Sequence, residues 1–253
     1  MPWNPECYHK FQSERFEPFE DLLGLVKVRE NLRVIDLGCG TGELTSRMAD
    51  HLPASDVTGV DLSPEMLEKA ARYARPGLGF ELKSIQETDG EWDLVFSCAA
   101  IHWVDDHPAL VPKLFSMVSP GGQIAVQLPS NDKHAAHLLL AKLAGEEPFR
   151  EALGGWVRVS PVLSIAAYAE LLYAHGGKEI KVFERVYPHI LEDTGAMADW
   201  MSGAAMVPYL DRLPEEMHES FLTRYREQLR LRWPLGPVFY PFRRILFAAT
   251  RSP

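Results

Sequence analysis

Cysteine is scarce in this chain: Cys7, Cys39 and Cys98 are the only three among 253 residues, an odd count without the paired spacing of a zinc site. Neither a disulfide framework nor a bound metal is therefore expected, and a reducing, cytoplasmic location is. No uncharged apolar run reaches the ~20 residues that a bilayer-spanning helix needs. The opening MPWNPECYHKF also lacks the apolar stretch of a secretory signal, so no membrane association is expected. Positive charge is short too, with 26 lysines and arginines against 35 acidic residues. A net charge of −9 argues against a polyphosphate backbone, and hence against a nucleic-acid partner. Lysine disappears altogether from Arg212 onward, where eight arginines face four acidic residues, so a basic C-terminal part follows an acidic body.

What is present is the pattern of an α/β protein. Residues 32–37 read as a buried strand, followed by a glycine turn and a helix carrying Leu44 and Met48. Further strands are predicted at DVTGVDL, GFELKSI, WDLVFSCAA and QIAVQL. Helices are predicted at PEMLEKAARYAR, opened by Ser63 and Pro64, and at PALVPKLFSMV, which leads through a turn at SPGG. Strands alternating with helices imply a mainly parallel, Rossmann-like sheet covered on both faces. Beyond Pro129 come the helices HAAHLLLAKLA and YAELLYAHGG, then two late strands, EIKVFERVYPHI and FRRILFAAT. The expected organisation is one domain over 1–253 with a seven-stranded sheet. An N-terminal helical segment at 1–30 and a helical cap at 193–235, inserted before the last strand, complete it.

The strongest local signal is Asp36-Leu37-Gly38-Cys39-Gly40-Thr41-Gly42, directly after the first strand. Glycines at alternate positions allow a tight turn and close approach of a ligand, and the helix that follows offers free N–H groups to an anion. Asp36 is placed to accept from an ammonium group. Asp61, nineteen residues after Gly42 at the tip of the second strand, is placed to accept from ribose hydroxyls. A nicotinamide cofactor uses the same fold, but its fingerprint is G-x-G-x-x-G, whereas the order here is D-x-G-x-G-x-G. The spacing favours S-adenosylmethionine.

VIDLGCGTG and GVDLSPEML resemble the first two motifs of class I S-adenosylmethionine-dependent methyltransferases. WNPECYHKFQSER, AAIHWVDD, AVQLPSN, FLTRYREQL and FRRILFAATR extend the resemblance along nearly the whole chain to the trans-aconitate 2-methyltransferase family. The resemblance implies methyl transfer to a carboxylate of a small polycarboxylic acid such as trans-aconitate, with a monomethyl ester and S-adenosylhomocysteine as products. It further implies that Leu62 packs on the adenine, that the Ile85 backbone meets the adenine edge, and that Cys98, Ala99 and Ala100 line the methionine end. Two positions depart from the pattern: Ser84 stands where such enzymes have an aspartate for the adenine amino group, and Cys98 stands where the near relatives have asparagine.

A carboxylate is already ionised at neutral pH, so its methylation needs no general base, and none is evident; His102 and Trp103 are assigned to placement. The partner is a small anion, for which arginine is the natural ligand. Arg224, on the margin of an apolar helix face, and Arg244, in the last strand, match the resemblance and are the substrate-binding candidates. Tyr8 and Arg15 join them if the N-terminal segment crosses the site. Another acceptor, including an acyl-carrier-bound acid, and a noncatalytic S-adenosylmethionine-binding protein are the alternatives. His134 and His137 share a helix face, but no third ligand lies near them in sequence, which speaks against a metal.

Overall fold

A computed structural model describes residues 13–252, with side chains from Phe16 on. Tyr8 lies outside the described residues, and so does the Arg15 side chain. Ten helices, α1 to α10, are described. They span Ser13–Leu23, Glu43–His51, Pro64–Ala70, His107–Ser116, Ala135–Ala144, Phe149–Ala152, Ile165–Ala174, Thr194–Ser202, Val207–Leu210 and Glu215–Arg232. Seven strands, β1 to β7, span Arg33–Leu37, Asp56–Asp61, Leu78–Leu82, Trp92–Cys98, Val118–Pro129, Gly177–Leu191 and Val238–Arg251. They form one sheet in the order β3-β2-β1-β4-β5-β7-β6. Neighbours among β1 to β5 are parallel, and β7 runs antiparallel to β5, from Gln123 opposite Thr250 to Pro129 opposite Arg244. The seven-stranded, mainly parallel sheet is thus as expected.

The described chain forms two compact units. The sheet unit comprises Phe16–Pro129, Pro161–Arg185 and the chain from Arg244 on; the helical unit comprises Ser130–Ser160 and Val186–Arg243. Within the sheet unit, alternate residues of each strand enter different cores, as the two-residue period of a strand requires. Ile35, Val95, Ile124, Val126 and Phe247 pack with α4 and α7, whereas Val34, Leu94, Phe96, Ala125 and Leu246 pack with α1 and α2. Layers of helices therefore cover both faces. The helical unit has its own core, in which Phe149, Tyr209, Phe221, Tyr225 and Leu229 are buried. Among the described residues no helix is long and apolar enough to cross a membrane.

Two of the differences from the sequence reading lie in β5 and β3. The turn expected at SPGG is a bulge inside β5: Trp92 pairs with Val118 and Leu94 with Gln123, so the extra residues loop out while the strand continues. Gly121 takes φ +76, and a Cβ on Gly122 would stand 2.8 Å from the Asp93 carbonyl oxygen, so both glycines serve the bulge. β3 ends at Leu82 rather than reaching Ile85, because Ser84 opens a local turn in which its hydroxyl accepts from the Glu87 N–H at 3.0 Å.

Candidate cofactor and methyl-transfer site

In the sheet unit the strand order reverses between β1 and β4, the place where open parallel sheets bind ligands beyond the carboxyl ends of their strands. The glycine loop leaves β1 at this point. It is anchored by main-chain bonds from Gly38 and Cys39 to the Val60 carbonyl, at 2.8 and 2.9 Å. Asp61 completes the anchorage. One carboxylate oxygen accepts from the Gly40 N–H and the other from the Ser63 N–H, both at 2.9 Å, so a single side chain joins the loop to the start of α3. Ser63 caps that helix by accepting from the Met66 N–H.

The glycines are required by geometry. Gly38 has φ +77, and a Cβ there would lie 2.2 Å from the Ala100 Cβ, so β1 and the end of β4 approach as closely as backbone allows. Gly40 has φ +55 and nothing within 4 Å of a built Cβ, which leaves its backbone open to a ligand. Gly42 caps α2 without a side-chain bond, and the first N–H groups of that helix carry its positive end. An open glycine backbone, a helix N-terminus and two carboxylates, Asp36 and Asp61, fit the zwitterionic methionine and the ribose of S-adenosylmethionine.

Asp36 is buried at 3% exposure and accepts from the Thr45 hydroxyl at 2.6 Å. Burial pushes its pKa up to about 7, against the lowering effect of Thr45 and with a further push from the Asp61 charge. A carboxyl held in this way gains most from a cation that restores its solvation. Cys98, at the end of β4, is driven the other way from reactivity: burial raises its thiol to about 12 despite the neighbouring Arg244 charge. Burial and the two aspartate charges likewise push the Cys39 thiol up.

After Cys98 the chain turns sharply. Ala99 takes φ +55, a strained value for a residue with a side chain, and its N–H donates to the Gln127 carbonyl at 2.8 Å. A 3-10 turn at Ile101–Trp103 follows, and His107 fixes it, with Nε2 3.0 Å from the Ile101 carbonyl and Nδ1 2.5 Å from the Tyr168 hydroxyl. This turn presents His102 and Trp103, whose rings lie 4.8 Å apart. Trp103 is 49% exposed and so does not plug the core.

Arg244 is buried at 6% exposure and donates to the Gln127 side-chain oxygen at 2.8 Å; the amide nitrogen of Gln127 points to Cys98 Sγ at 3.5 Å. Cys98, Gln127 and Arg244 therefore form one chain across β4, β5 and β7. Leu62 is 65% exposed beside the loop, in keeping with a surface kept for a ring, while Ile85 is half-buried. The Ser84 hydroxyl is engaged by Glu87, to whose carboxylate it donates at 2.7 Å. Arg224 belongs to the helical unit, where its fork is committed to the Glu146 carboxylate at 2.8 Å and the Glu147 carbonyl at 2.9 Å, with its cation 5.1 Å from the Phe149 ring centre.

Three side chains of this site escaped the sequence reading: Thr45, Glu87 and Gln127. Gln127 alone carried a signal, a polar residue in the middle of the apolar run AVQLP.

Residues 9–176 match the methyltransferase domain family. The trans-aconitate 2-methyltransferase of Deinococcus radiodurans is 44% identical to this chain over 99% of both sequences. That of Variovorax paradoxus is 34% identical over 100% of this chain and 99% of its own. Among solved structures, the YcgJ protein of Bacillus subtilis superimposes with a TM-score of 0.61 at 15% identity, over 94% of this chain and 99% of its own. The phosphoethanolamine N-methyltransferase 2 of Haemonchus contortus, solved with S-adenosyl-L-methionine, gives 0.56 at 17% identity over 94% of this chain and 53% of its own. The structural likenesses show the fold; the full-length likenesses in sequence show the family. With the glycine loop and its two aspartates at the switch point of such a sheet, the chain belongs to the S-adenosylmethionine-dependent methyltransferases, in one family with the trans-aconitate 2-methyltransferases.

Proposed function

We propose that this enzyme esterifies one carboxylate of a small polycarboxylic acid such as trans-aconitate, giving a monomethyl ester. The observation that carries the reading is the 44% identity, over 99% of both chains, with a trans-aconitate 2-methyltransferase. S-adenosylmethionine, when bound, supplies an electrophilic methyl group and leaves as S-adenosylhomocysteine. Asp36 accepts from its ammonium group, the N–H groups beyond Gly42 receive its carboxylate, and Asp61 accepts from the ribose hydroxyls. Leu62 lies on the adenine, Ile85 lends its backbone to the adenine edge, and Ser84 meets the amino group together with the Glu87 carboxylate that it holds. Cys98 and Ala99 line the methionine end, and the raised pKa of Cys98 keeps it a neutral thiol that does not compete for the methyl group.

The acceptor carboxylate is ionised before it binds, so the protein's task is placement in line with the methyl group and exclusion of water. His102 and Trp103 serve that placement. Arg244 holds a carboxylate that does not react: on the reacting one, a guanidinium would stabilise charge that vanishes in the transition state and would raise the barrier. Its bond to Gln127 fixes the direction of the fork.

A methyl-transfer screen over small di- and tricarboxylic acids, read by mass spectrometry, tests the proposal. One added methyl group on a polycarboxylate, lost on saponification, is the expected result. Transfer confined to amines, alcohols or carrier-bound acids would overturn it.

A further inference from the structure

The arginines of the helical unit that meet carboxylates are already neutralised there: Arg224 pairs with Glu146 and Arg226 with Asp199. A second polar group in the same unit is arranged differently. His134 caps α5 and His137 lies in its first turn, both partly buried, and Tyr240 joins them. Its hydroxyl lies 3.2 Å from His137 Nε2, and its ring meets that of His134 edge-on at 4.7 Å. His189, on β6 and 7% exposed, packs on Trp200 at 5.0 Å, and Trp200 packs edge-on against Tyr240 at 5.9 Å.

We propose that His134, His137 and Tyr240, with Arg158 beside them and His189 and Trp200 as the aromatic wall, form a carboxylate-binding subsite of the helical unit. The inference rests on the reading of the substrate as a small polycarboxylate, and it names the groups that recognise that class. Hydrogen-bond chemistry supports it. His134 Nδ1 accepts from the Ala136 N–H at 3.2 Å, so in the neutral ring Nε2 carries the proton and is a donor. Tyr240 adds a hydroxyl, and aromatic walls exclude the water that would weaken each bond to an anion. Electrostatics point the same way. Burial holds both histidines below the usual histidine range, His137 at about 4, and the charges that add to this are positive: Arg232 on His134, and His134 and Arg158 on His137. With both rings neutral, the formal charges beside the cluster are those of Arg158 and Arg232, and these favour an anion. Among the described residues no group of three or more His, Cys, Asp or Glu side chains could hold a metal ion.

Isothermal titration of the full chain with trans-aconitate, in the presence of S-adenosylhomocysteine, tests the subsite. His137→Gln and Tyr240→Phe are each expected to weaken binding of the acid by about tenfold, the effect of losing a hydrogen bond to a charged group. Their affinity for S-adenosylhomocysteine and their circular dichroism should stay at the wild-type level. Wild-type affinity for the acid in both variants would overturn the inference while leaving the proposed function standing. A wild-type protein that binds no di- or tricarboxylate would overturn both. Should a variant fail to fold, the histidine ring resonances of the wild type decide: those of His134 and His137 should move and saturate with the acid, and their immobility contradicts the subsite.

Discussion

The glycine loop of the sheet unit offers a ligand mainly its own backbone, whereas the histidine cluster of the helical unit offers only side chains. The loop owes its shape to glycines at φ +77, +55 and +74 and to Val60 and Asp61, which hold its N–H groups in place. The cluster is assembled from α5, the segment around Arg158, β6, α8 and β7, positions more than 100 residues apart. A backbone site tolerates few substitutions but needs few specific side chains; a side-chain site can change its ligand residue by residue. The difference suits a domain that keeps one cofactor and varies its acceptor.

The largest effect expected from breaking this contrast is at Gly38. Gly38→Ala combines a left-handed backbone with a Cβ 2.2 Å from the Ala100 Cβ. Overpacking of this kind costs about 1–3 kcal/mol, so calorimetry should show S-adenosylmethionine binding weakened by at least tenfold, with the circular dichroism of the fold retained. Unaltered affinity would mean that the loop does not carry the cofactor. Asp61→Ala comes next: it removes the acceptor of both Gly40 and Ser63, and a loss of about 1–3 kcal/mol in the same binding is expected. If Asp61→Ala binds as the wild type does, the ribose is held elsewhere.

Asp36 sharpens the comparison through pH. Its carboxyl pKa, raised to about 7, leaves it partly protonated in the ligand-free enzyme, and the protonated form cannot pair with an ammonium group. Affinity for S-adenosylmethionine should therefore fall by up to about tenfold between pH 8 and pH 6, and Asp36→Asn should abolish that dependence. The stability of the ligand-free fold runs the opposite way. Between about pH 4 and 7 the folded carboxyl keeps a proton that the unfolded chain has lost, so stability declines as pH rises through this window. Asp36→Asn should accordingly raise the melting temperature at pH 8, by an amount that shrinks towards pH 4. A melting temperature with the same pH dependence in wild type and variant would place Asp36 at an ordinary pKa.

The smallest and most discriminating effect separates two arginines. Arg244→Ala should raise KM for the acid by about tenfold, with a smaller loss in kcat, because its fork is proposed to hold a spectator carboxylate. Arg224→Ala removes a partly exposed ion pair worth about 0–1 kcal/mol and should lower thermal stability slightly while KM stays within about threefold. Reversed effects would assign substrate binding to Arg224.

What could be read from the sequence follows the same division. Asp36, the glycines and Asp61 lie in one stretch of strand, turn, helix and strand, and their spacing alone implies where their groups meet. The Gly121-Gly122 pair also signalled a change of direction, but glycines at positive φ serve a turn and a bulge equally, and only pairing with β4 distinguishes them. Arg224 shows the other limit. Its place on a helix margin was visible, but its partner Glu146 lies 78 residues away and is brought to it by packing. Thr45 and Tyr240 were hidden for the same reason, since each acts on a residue that only the fold makes its neighbour.

The most direct test of the central claim, transfer to a carboxylate that needs no base, is the pH dependence of kcat for trans-aconitate methylation at saturating S-adenosylmethionine, which removes the influence of Asp36 on binding. The expected profile is level through the histidine range near pH 6.5, in the wild type and in His102→Ala, since the nucleophile is already ionised. A rate that climbs about tenfold per pH unit through that range, and that disappears in His102→Ala, would contradict it and identify a hydroxyl acceptor with His102 as its base.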